Sequence, residues 1–440
     1  MKLKTLTQFL NLSDTTEVEF NHIQTDSRKV SPGDLYVAIV GSRCDGNDFV
    51  ADAEKNGAVA AIVSKPVNAD IPVLMVPDTI QALIKCAKQW REQFNIPVVG
   101  VTGSSGKTSV KEMLASIFQA AYGKAYFATK GNFNTDITVP IMLLNLKKNH
   151  RAAVIEMGMG KPGDLTLLSD LVKPTVATIN NIALVHSEFL GGLEDVARNK
   201  SEIFSGLQKN GTAVLNADEP YIKMWREKIG DKKVVTFGAQ GDVSVSEIVP
   251  SFEGCEFTLT FPDYTLPVKT KLPGKHTAMN AACAAACAYA VGIDITAIKL
   301  GLEQVERPAR RMQQLPGQKG SVLIDDGYNG TGVKAAIDVL SLFSGKKILI
   351  LGAVRELGSI ERQFHAEIGE YAKAKGVDAL FAIGDIAEEA AQAFGQNAHF
   401  IEDCAELTKQ VLALLDNNTC VLVKGSLSMN MKMFVDQLLA

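Results

Sequence analysis

The segment VVGVTGSSGKTSVKEM carries the strongest chemical signal in the chain. An apolar run at 98–102 leads into a Gly/Ser loop that opens a helix at Gly106, Lys107 and Thr108. In such a loop, backbone N–H groups and the helix N-terminus face a phosphate, the lysine adds positive charge, and the threonine hydroxyl can bind Mg²⁺. Val101 stands where the strict P-loop pattern has glycine. We therefore predict a variant P-loop that binds ATP through Thr102, Gly103, Ser104, Ser105, Gly106, Lys107, Thr108 and Ser109.

Three further side chains are candidates for chemistry at this loop. Glu156 ends the apolar strand AAVIEMG, so its carboxylate emerges at the carboxyl edge where open α/β sheets bind ligands. Close to a P-loop, a carboxylate in that place is a candidate metal ligand. His186 and Lys200 have no comparable signal, and a lysine in such a helix usually faces solvent. The residue types and their spacing therefore do not assign a role to His186 or Lys200.

The elements that must position these residues form several domains, because 440 residues exceed what one core usually organises. Residues 1–80 alternate short apolar runs with turns, which predicts a small α/β domain. Residues 81–306 predict a central P-loop domain with a doubly wound, mostly parallel sheet and a small antiparallel appendage over 232–271. Residues 307–440 predict a Rossmann-like domain that lacks GxGxxG and hence a dinucleotide site. The predicted fold class is α/β with three domains, with joints near 78–84 and 305–311.

The composition excludes several classes of protein. Hydrophobic residues make up 46% and charged residues 21% of the chain, which excludes collagen-like and disordered chains. The 45 Lys and Arg against 49 Asp and Glu give a formal charge of −4, so no basic field is present to hold a nucleic acid. Seven cysteines without a CxxC pair indicate neither a disulfide framework nor a zinc site. With no apolar stretch that suits a signal peptide or a membrane span, we expect a cytoplasmic protein.

Motifs along the whole chain occur in the order and spacing of the Mur ligases. Besides the P-loop they are GNFNTDITVP (131–140), VIEMG, NNIALVH, NKSEIFSGL, LPGKH with Asn280, ERPAR, DDGYN (325–329), ELG with His365, and VKGS (423–426). The chain therefore resembles the Mur ligase family. The resemblance implies an ATP-dependent amide-bond ligase of peptidoglycan precursor synthesis that uses Mg²⁺.

Three of the motifs indicate which members of the Mur ligase family the chain resembles. KTSVKEM, SEIFSGL and DDxYN resemble the members that add D-alanyl-D-alanine to UDP-N-acetylmuramoyl-tripeptide through an acyl phosphate. The implied partners are these two substrates, and we expect a monomer. No local motif tells whether the third peptide residue is diaminopimelate or lysine.

The resemblance also assigns roles to single residues. The residues that match catalytic positions are Lys107, Lys200, His186 and Arg310. Those that match metal ligands are Thr108, Glu156, His186 and Lys200, the last as a carbamate. Nucleotide contacts outside the P-loop match His276, Asn280, Asp326, Tyr328, Asn329 and Arg310, which is assigned to the γ-phosphate. The UDP-linked substrate is assigned to Ser27, Arg28, Ser42 and Asp45 of the N-terminal region and to Asn132, Asn134 and Thr135.

Departures from the family pattern concentrate in the third domain. DDGYNGTG replaces DDSYNANP, Ala353 stands where an Asp is expected, and Leu427 stands where KGSR has Arg. The identity of the incoming amine therefore stays open, and the new glycines predict either a mobile loop or a fixed turn. A Mur-like ligase for another amino acid, a P-loop ATPase or kinase, and a non-catalytic binding protein are the alternatives. The intact GKT argues against the last, and the whole-chain motif order argues against a kinase.

Overall fold

Three β-sheets follow one another along the chain, and each collects the apolar runs of one sequence region. The structure, a computed structural model, describes residues 1–13, 17–183, 191–330 and 332–440. The predicted three-part α/β fold is confirmed. Short 3₁₀ turns connect the main elements at Ser27–Lys29, Gly46–Phe49, Ser201–Phe204, Gln318–Gly320, Gly358–Ile360, Asp385–Ala387 and Leu427–Met429.

The N-terminal sheet is parallel, with the strand order β1-β2-β3-β4. Its strands are β1 Ile23–Gln24, β2 Leu35–Val37, β3 Ala60–Val63 and β4 Val73–Met75. Two helices accompany them, Leu3–Leu10 and Val50–Lys55. β2 and β3 are buried along their whole length, as continuous apolar runs predict for a parallel sheet covered on both faces.

Helix Thr79–Arg91 ties the N-terminal sheet to the central one. Asp78 caps the helix by accepting from the N–H groups of Ile80 and Gln81 at 2.8 and 3.0 Å. The Thr79 hydroxyl donates to the carbonyl of Ala38 in the N-terminal sheet at 2.8 Å. Leu83 and its neighbours on this helix lie in one apolar core that joins both sheets. The segment 78–84, expected to be a joint, is thus the capped and packed start of a helix.

The central sheet has the strand order β13-β12-β11-β10-β9-β8-β5-β7-β6. Its strands are β5 Val98–Thr102, β6 Tyr126–Ala128, β7 Ala152–Glu156, β8 Val176–Ile179, β9 Thr212–Asn216, β10 Lys233–Gly238, β11 Val243–Pro250, β12 Cys255–Thr260 and β13 Thr265–Thr270. The helices around it are Lys107–Tyr122, Thr138–Leu143, Asp164–Val172, Leu193–Lys200, Ile222–Ile229, Lys275–Ala290 and Ile295–Gln304. Only the β11–β12 and β12–β13 pairs are antiparallel. These strands extend the edge of the parallel sheet beyond β10 and do not form a separate appendage.

The order of the central strands determines where a ligand can bind. β5 lies between β7 and β8, so the chain leaves it towards one side of the sheet for β6 and β7 and towards the other side for β8 and β9. At such a switch point the loops after neighbouring strands diverge and open a crevice at the carboxyl edge of the sheet. The Gly/Ser loop follows β5 and therefore lies in that crevice.

The C-terminal sheet has the strand order β14-β15-β19-β16-β17-β18. Its strands are β14 Gln313–Pro316, β15 Val322–Asp326, β16 Lys346–Gly352, β17 Ala379–Ile383, β18 Ala398–Phe400 and β19 Thr419–Lys424. The helices are Val333–Leu340, Glu361–Ala374, Glu388–Phe394, Cys404–Leu414 and Lys432–Leu438. Only the edge strand β14 is antiparallel to its neighbour. Among the described helices of the whole chain, none has the length and apolar character needed to cross a lipid bilayer.

Candidate active site

A cleft of about 910 Å³ lies between the carboxyl edge of the central sheet and the C-terminal domain. Its volume suits a nucleotide and part of a second substrate. Most of the predicted site residues line it, although they come from distant parts of the chain. They are Ser104, Ser105, Gly106, Lys107, Thr108, Ser109, Asn132, Asn134, Glu156, Lys200, His276, Asn280, Asp326, Tyr328 and Asn329.

The remaining predicted residues lie elsewhere. Thr102 is fully buried at the end of β5, and Gly103 after it is likewise outside the cleft lining. Thr135 bonds Thr138 hydroxyl to hydroxyl at 3.0 Å outside the cleft. Arg310 is outside the cleft lining, as are the N-terminal residues Ser27, Arg28, Ser42 and Asp45. His186 lies outside the described residues.

Two asparagines that follow β8 hold the Gly/Ser loop in shape. The N–H of Ser104 donates to the backbone carbonyl of Asn181, and the N–H of Ser105 donates to its side-chain oxygen, both at 2.9 Å. The Asn180 amide donates to the carbonyl of Ser105 at 3.0 Å. The loop therefore has its shape before a ligand arrives, and the N–H groups of the first helical turn, which have no acceptor within the helix, remain for a phosphate.

Gly106 is a residue of this loop that must be glycine. Its φ is +73°, and a Cβ there would lie 2.5 Å from Oδ1 of Asn280 and 2.6 Å from Nδ2 of Asn180. Those two amides also bond each other at 2.8 Å, so neither can give way freely.

Gly106→Ala is expected to destabilise the chain by more than the roughly 1–2 kcal/mol of a left-handed alanine alone. Gly163→Ala is the matched control, because Gly163 also precedes a helix with a left-handed backbone, at φ +91°, and nothing lies within 4 Å of its added Cβ. Urea unfolding should show a larger loss of free energy for Gly106→Ala, together with weaker ATP binding. Equal losses in the two variants would contradict the steric argument.

Lys107 is folded back over the loop that precedes it. Its Nζ donates to the carbonyl of Gly103 at 2.8 Å, so the ammonium lies within the ring of loop carbonyls and N–H groups. Burial lowers the pKa of Lys107, the carboxylate of Glu156 raises it in part, and the positive charge of Arg311 lowers it again. This placement keeps a cation directly at the predicted phosphate site.

Glu156 is buried at the end of β7 with both carboxylate oxygens engaged. Oε2 accepts from the Thr108 hydroxyl and Oε1 from the Asn134 amide, each at 2.8 Å. The Glu156 backbone N–H donates to the hydroxyl of Thr129 at 3.0 Å, which fixes the end of the strand. The predicted partners Thr108 and Glu156 are thus brought together, although they are 48 positions apart in sequence.

Lys200 is buried at the C-terminal end of helix Leu193–Lys200, with only 3% of its surface exposed. Within the described ranges no carboxylate pairs with its ammonium. Burial lowers its pKa well below the usual value, and the charge of Lys107 lowers it further. The environment therefore favours an uncharged amine facing the cleft, which is unlike the solvent-facing lysine that the sequence alone favours.

His276 and Asn280 lie near the start of helix Lys275–Ala290, and Asn280 is next to Gly106 of the Gly/Ser loop. The hydrogen bonds of Asn280 among the described residues engage its carbonyl oxygen and leave its NH₂ group for a ligand. Burial lowers the pKa of His276, which favours the neutral imidazole. A Cβ on Gly274 would lie 2.7 Å from the His276 ring and 2.8 Å from Val339 of the C-terminal domain, so no larger residue fits there.

The opposite wall of the cleft is held by a buried ion pair. Lys424 ends β19 beside Asp326 at the end of β15, and its Nζ donates to Oδ2 of Asp326 at 2.6 Å. The same ammonium donates to the carbonyl of Asn329 at 2.8 Å. Because the other oxygen of Asp326 accepts from the N–H of Met312, this carboxylate organises its own loop and the linker.

Two of the three glycines of DDGYNGTG, Gly327 and Gly330, lie in tight places, whereas nothing lies within 4 Å of a Cβ added to Gly332. A Cβ on Gly330 would lie 2.8 Å from Oγ of Ser426 and 2.9 Å from Cγ1 of Val354. Gly327 donates its N–H to Asp325 at 3.0 Å, and a Cβ there would lie 3.0 Å from Met431. Of the two hypotheses, these contacts favour the fixed turn, in which glycine permits close packing.

Arg310 and Arg311 are adjacent in the linker but have different surroundings. Nη2 of Arg310 donates to the carbonyl of Gly327 at 2.9 Å, and Nε lies 3.5 Å from the carboxylate of Asp325. Arg310 is therefore engaged by the C-terminal domain, whereas Arg311 lines the cleft. The assignment of Arg310 to the γ-phosphate stays a prediction.

The N-terminal candidates form a separate surface. Arg28 is 86% exposed and makes two hydrogen bonds to Asp26, at 2.8 and 2.9 Å. Asp45 accepts from Lys65 at 2.8 Å, and this interaction, with those of Asn47, lowers its pKa to about 2. Ser27 is buried, and its carbonyl accepts from Asn56 at 2.9 Å.

Sequence reasoning missed several residues of the cleft. They are Asn180, Asn181, Asn216, Arg311, Arg355 and Lys424. Asn216 and Lys424 end parallel strands, as Glu156 does, and Asn180 and Asn181 follow one. A search for polar residues at every predicted strand end would therefore have found these four. No local signal marks Arg311 or Arg355.

Models of protein families match three consecutive parts of the chain. Residues 19–122 match the catalytic domain of the Mur ligase family, residues 101–288 the Mur ligase middle domain, and residues 310–427 the domain described as Mur ligase, glutamate ligase domain. Together they span most of the chain, in the order in which the three sheets occur.

Individual proteins resemble the chain over nearly its full length. The UDP-N-acetylmuramoyl-tripeptide–D-alanyl-D-alanine ligase of Escherichia coli strain K12 is 38% identical over 437 residues, which is 98% of this chain and 96% of that protein. A crystal structure of MurF from Acinetobacter baumannii superimposes with a TM-score of 0.90 at 32% identity and covers 99% of this chain and 98% of its own. MurF ligase from Thermotoga maritima, solved in complex with ADP, superimposes with a TM-score of 0.82 at 27% identity over 96% of this chain and 98% of its own.

Proposed function

Because the chain belongs to the Mur ligase family, we propose that it is an ATP-dependent ligase that adds D-alanyl-D-alanine to UDP-N-acetylmuramoyl-tripeptide. The observation that carries this proposal is the contact between the P-loop hydroxyl of Thr108 and the carboxylate of Glu156, in a cleft closed by the loop of Asp326. A kinase or simple ATPase needs only the contact between Thr108 and Glu156 at the P-loop, and not the second wall that the loop of Asp326 forms. Similarity to ligases over 98% of the chain also weighs against that alternative.

The reaction is carboxylate activation followed by amide formation. The terminal carboxylate of the tripeptide attacks the γ-phosphorus of ATP, ADP leaves, and an acyl phosphate forms. The amine of D-alanyl-D-alanine then attacks the acyl carbon, and phosphate leaves from the tetrahedral intermediate. The chain contributes position and charge, since the first-turn N–H groups and Lys107 hold the phosphates. Closure of the cleft would exclude water from the acyl phosphate.

The residues around Glu156 fit Mg²⁺. Thr108 and Glu156 offer oxygen atoms, and each carboxylate oxygen has a lone pair beyond the one that Thr108 or Asn134 uses. Among the described residues no cluster of three or more His, Cys, Asp or Glu is present, which agrees with an ion held by few protein oxygens and by substrate phosphates. When bound, Mg²⁺ neutralises charge on the phosphate oxygens. We propose Thr108 and Glu156 as its ligands from this part of the site, with His186 as a third.

We propose that Lys200 is a carbamate in the working enzyme. A neutral amine reacts with CO₂ to give the carbamate and one proton, and this converts a buried amine into a carboxylate-like group. The buried position of Lys200, beside the cation of Lys107 and without a carboxylate partner in the described ranges, favours the anionic product. The carbamate would add a further oxygen ligand for Mg²⁺ besides Thr108 and Glu156.

We propose that residues 1–80 bind the UDP moiety, because Arg28 and Ser42 present a guanidinium and a hydroxyl group to solvent. The buried Ser27 and the turn at Asp45 are their neighbours in sequence. Removing residues 1–80 is a poor test, because the N-terminal and central sheets share one core. Point variants leave that core intact.

Arg28→Ala is expected to raise KM for the UDP-linked tripeptide about tenfold, the effect of one lost hydrogen bond to a charged group. KM for ATP should not change. Lys29→Ala is the matched control, because Lys29 is a neighbouring cation whose side chain is also largely exposed. An unchanged KM for the UDP-linked tripeptide in Arg28→Ala would remove Arg28 from the proposed site.

Amide formation itself is tested by ADP release with UDP-N-acetylmuramoyl-tripeptide and a series of amines. D-Alanyl-D-alanine should be consumed at least ten times faster than glutamate, diaminopimelate or lysine, consistent with recognition of its whole dipeptide. ADP release that is independent of the amine would favour an ATPase. Parallel assays with diaminopimelate-containing and lysine-containing tripeptides decide the third residue.

We further propose that the chain acts as a monomer in the cytoplasm. The proposed reaction consumes ATP and a nucleotide-linked precursor, which are molecules of the cytoplasm. Light scattering at working concentrations tests whether the chain is a monomer.

A further inference from the structure

His365 is a buried histidine whose hydrogen bonds fix its protonation state. It lies near the start of helix Glu361–Ala374 and is 0% exposed. Nδ1 lies 2.7 Å from the backbone carbonyl of Glu361, and Nε2 lies 3.0 Å from the backbone nitrogen of Val354. A carbonyl only accepts and a backbone N–H only donates, so Nδ1 carries the proton and Nε2 is the bare acceptor. Both contacts are therefore satisfied only by the neutral imidazole, in one tautomer.

The N–H of Val354 belongs to a loop that lines the cleft, residues 354–357 after β16. Side chains accept from three N–H groups of this loop, namely Nε2 of His365 at 3.0 Å, Oγ of Ser426 at 3.0 Å and the carboxylate of Glu361 at 3.2 Å. A serine hydroxyl does not titrate, and a glutamate is ionised near neutral pH. His365 is thus the one of these three acceptors that a modest fall in pH converts into a donor.

The loop 354–357 forms a part of the C-terminal wall to which no nucleotide contact is assigned. Apart from the linker, the nucleotide contacts implied by the motifs lie in the Gly/Ser loop, on helix Lys275–Ala290 and at 326–329. Arg355 brings a positive charge to this part of the wall, and Leu427 brings a half-exposed apolar side chain. A cation beside an apolar surface suits a small molecule with a carboxylate and methyl groups, as D-alanyl-D-alanine has. The loop therefore lies where room is left for the incoming amine.

The surroundings of His365 favour its neutral form. Burial lowers its pKa most strongly, and the backbone hydrogen bond to Glu361 raises it in part. Among the described residues, the charged groups that face the ring are the carboxylate of Glu361 on its own helix, Arg355 on the cleft loop and Asp385 after β17. The two acids raise the pKa of His365 and the arginine lowers it. Protonation would direct a new N–H on Nε2 at the N–H of Val354, so the hydrogen bond between them would be lost.

We propose that His365 is a positioning residue for the incoming amine, because its neutral imidazole holds the loop 354–357 in the cleft and its protonation releases that loop. The inference rests on the proposed function in that it takes D-alanyl-D-alanine as the amine. Because burial lowers the pKa of His365 from its ordinary value of about 6.5, the loop is held at neutral pH and released only in acid. The affinity for the amine should fall as the loop is released, whereas the P-loop keeps its affinity for the nucleotide.

Two substitutions separate the hydrogen bond from the titration. His365→Gln brings an amide oxygen close to the place of Nε2, where it can accept from Val354 but cannot be protonated in this pH range. His365→Asn brings an amide to the place of Nδ1 and is too short to reach Val354. His399→Gln is the matched control, because His399 is an exposed histidine of the same domain outside the cleft lining.

Steady-state assays of ADP release at a series of pH values measure KM for each substrate. In weak alkali His365→Gln should keep KM for D-alanyl-D-alanine within about threefold of the unaltered chain, whereas His365→Asn should raise it about five- to tenfold, the effect of one lost hydrogen bond. In acid the KM of the unaltered chain should rise towards that of His365→Asn, and His365→Gln should lack this additional rise. The amine of the substrate itself titrates at about pH 8, so the quantity compared is the ratio of each KM to that of His365→Gln at the same pH.

Three results would overturn the proposal. One is a ratio of KM values between the unaltered chain and His365→Gln that stays constant with pH. Another is an equal rise of KM for ATP and for D-alanyl-D-alanine in His365→Asn, since a merely structural role affects both substrates alike. The third is a pH profile of His399→Gln that differs from the unaltered chain as much as that of His365→Gln does.

NMR of the unaltered chain gives a measurement that does not depend on the folding of a variant. Spectra of ¹⁵N-labelled histidine should show a protonated Nδ1 and a bare Nε2 for His365 in weak alkali. The Val354 amide should exchange its hydrogen faster once the ring is protonated. A proton on Nε2 in weak alkali, or exchange at Val354 that ignores protonation of the ring, would refute the positioning role.

The NMR measurements use no substrate, so they separate this inference from the proposed ligase reaction. If the loop responds to pH as described but ADP release does not depend on the amine, the ligase reaction falls and the control of the loop by His365 stands. If ADP release requires D-alanyl-D-alanine but the unaltered chain and His365→Gln share one pH profile, only the role of His365 falls.

Discussion

Lys107→Ala is expected to lower kcat by about 10²–10³-fold, the usual effect of removing one electrostatic donor from a site that stabilises developing charge. The ammonium lies within the loop, 2.8 Å from the carbonyl of Gly103, so no other side chain of the loop can replace its charge. KM for the UDP-linked tripeptide should change little, because that substrate meets other residues. Steady-state assays of ADP release measure both quantities.

Lys124→Ala is the matched control for this prediction. Lys124 is an exposed lysine just beyond the far end of helix Lys107–Tyr122, so its loss changes the net charge equally without touching the loop. Circular dichroism should show that both variants fold. If the Lys107→Ala enzyme kept kcat within about threefold of the unaltered chain, the assignment of the loop to ATP would be wrong.

Lys200→Ala is expected to lower kcat by a similar factor of about 10²–10³, because the proposed carbamate, an anionic ligand of Mg²⁺, is lost. The loss should be partly reversed by acetate or another short carboxylic acid, which can occupy the space that the carbamate leaves. Such rescue distinguishes a missing anion from a missing structural side chain.

Lys200→Arg separates the carbamate from the positive charge. It places a cation at this position that does not form a carbamate, so it should be as inactive as Lys200→Ala. Depletion of CO₂ should lower the activity of the unaltered chain, and bicarbonate should restore it. In ¹³CO₂-equilibrated samples, a carbamate ¹³C signal should be present in the unaltered chain and missing in Lys200→Ala. Full activity of Lys200→Arg would exclude the carbamate.

The P-loop and the three-part fold were predictable because their signals are local. Residues 98–109 form a strand, a turn and a helix start from contiguous sequence, and the turn requires glycine at 106 for its positive φ. The apolar runs of the three sheets likewise reveal their strands by composition and length alone. The family resemblance, confirmed by full-length similarity, depends on the spacing of many such local motifs.

The side chains that support the site are brought together by packing between distant segments of the chain. Asn180 bonds Ser105 and Asn280, which are 75 and 100 positions away, and Lys424 bonds Asp326 across 98 positions. Parallel strands place their carboxyl ends side by side whatever the length of chain between them. Which strand ends become neighbours follows from the strand order, and that order is a property of the assembled sheet.

By itself the sequence determined the kind of chemistry, namely ATP bound by a Gly/Ser loop beside an acidic strand end in a three-domain ligase. Only the tertiary structure decided which linker arginine faces the loop, because adjacent side chains diverge according to backbone torsions such as φ of +60° at Arg310 and +52° at Met312. It likewise decided that Lys200 is buried. The physical reason is that a residue's type is set locally, whereas its burial and the charges around it are set by the elements that pack against it.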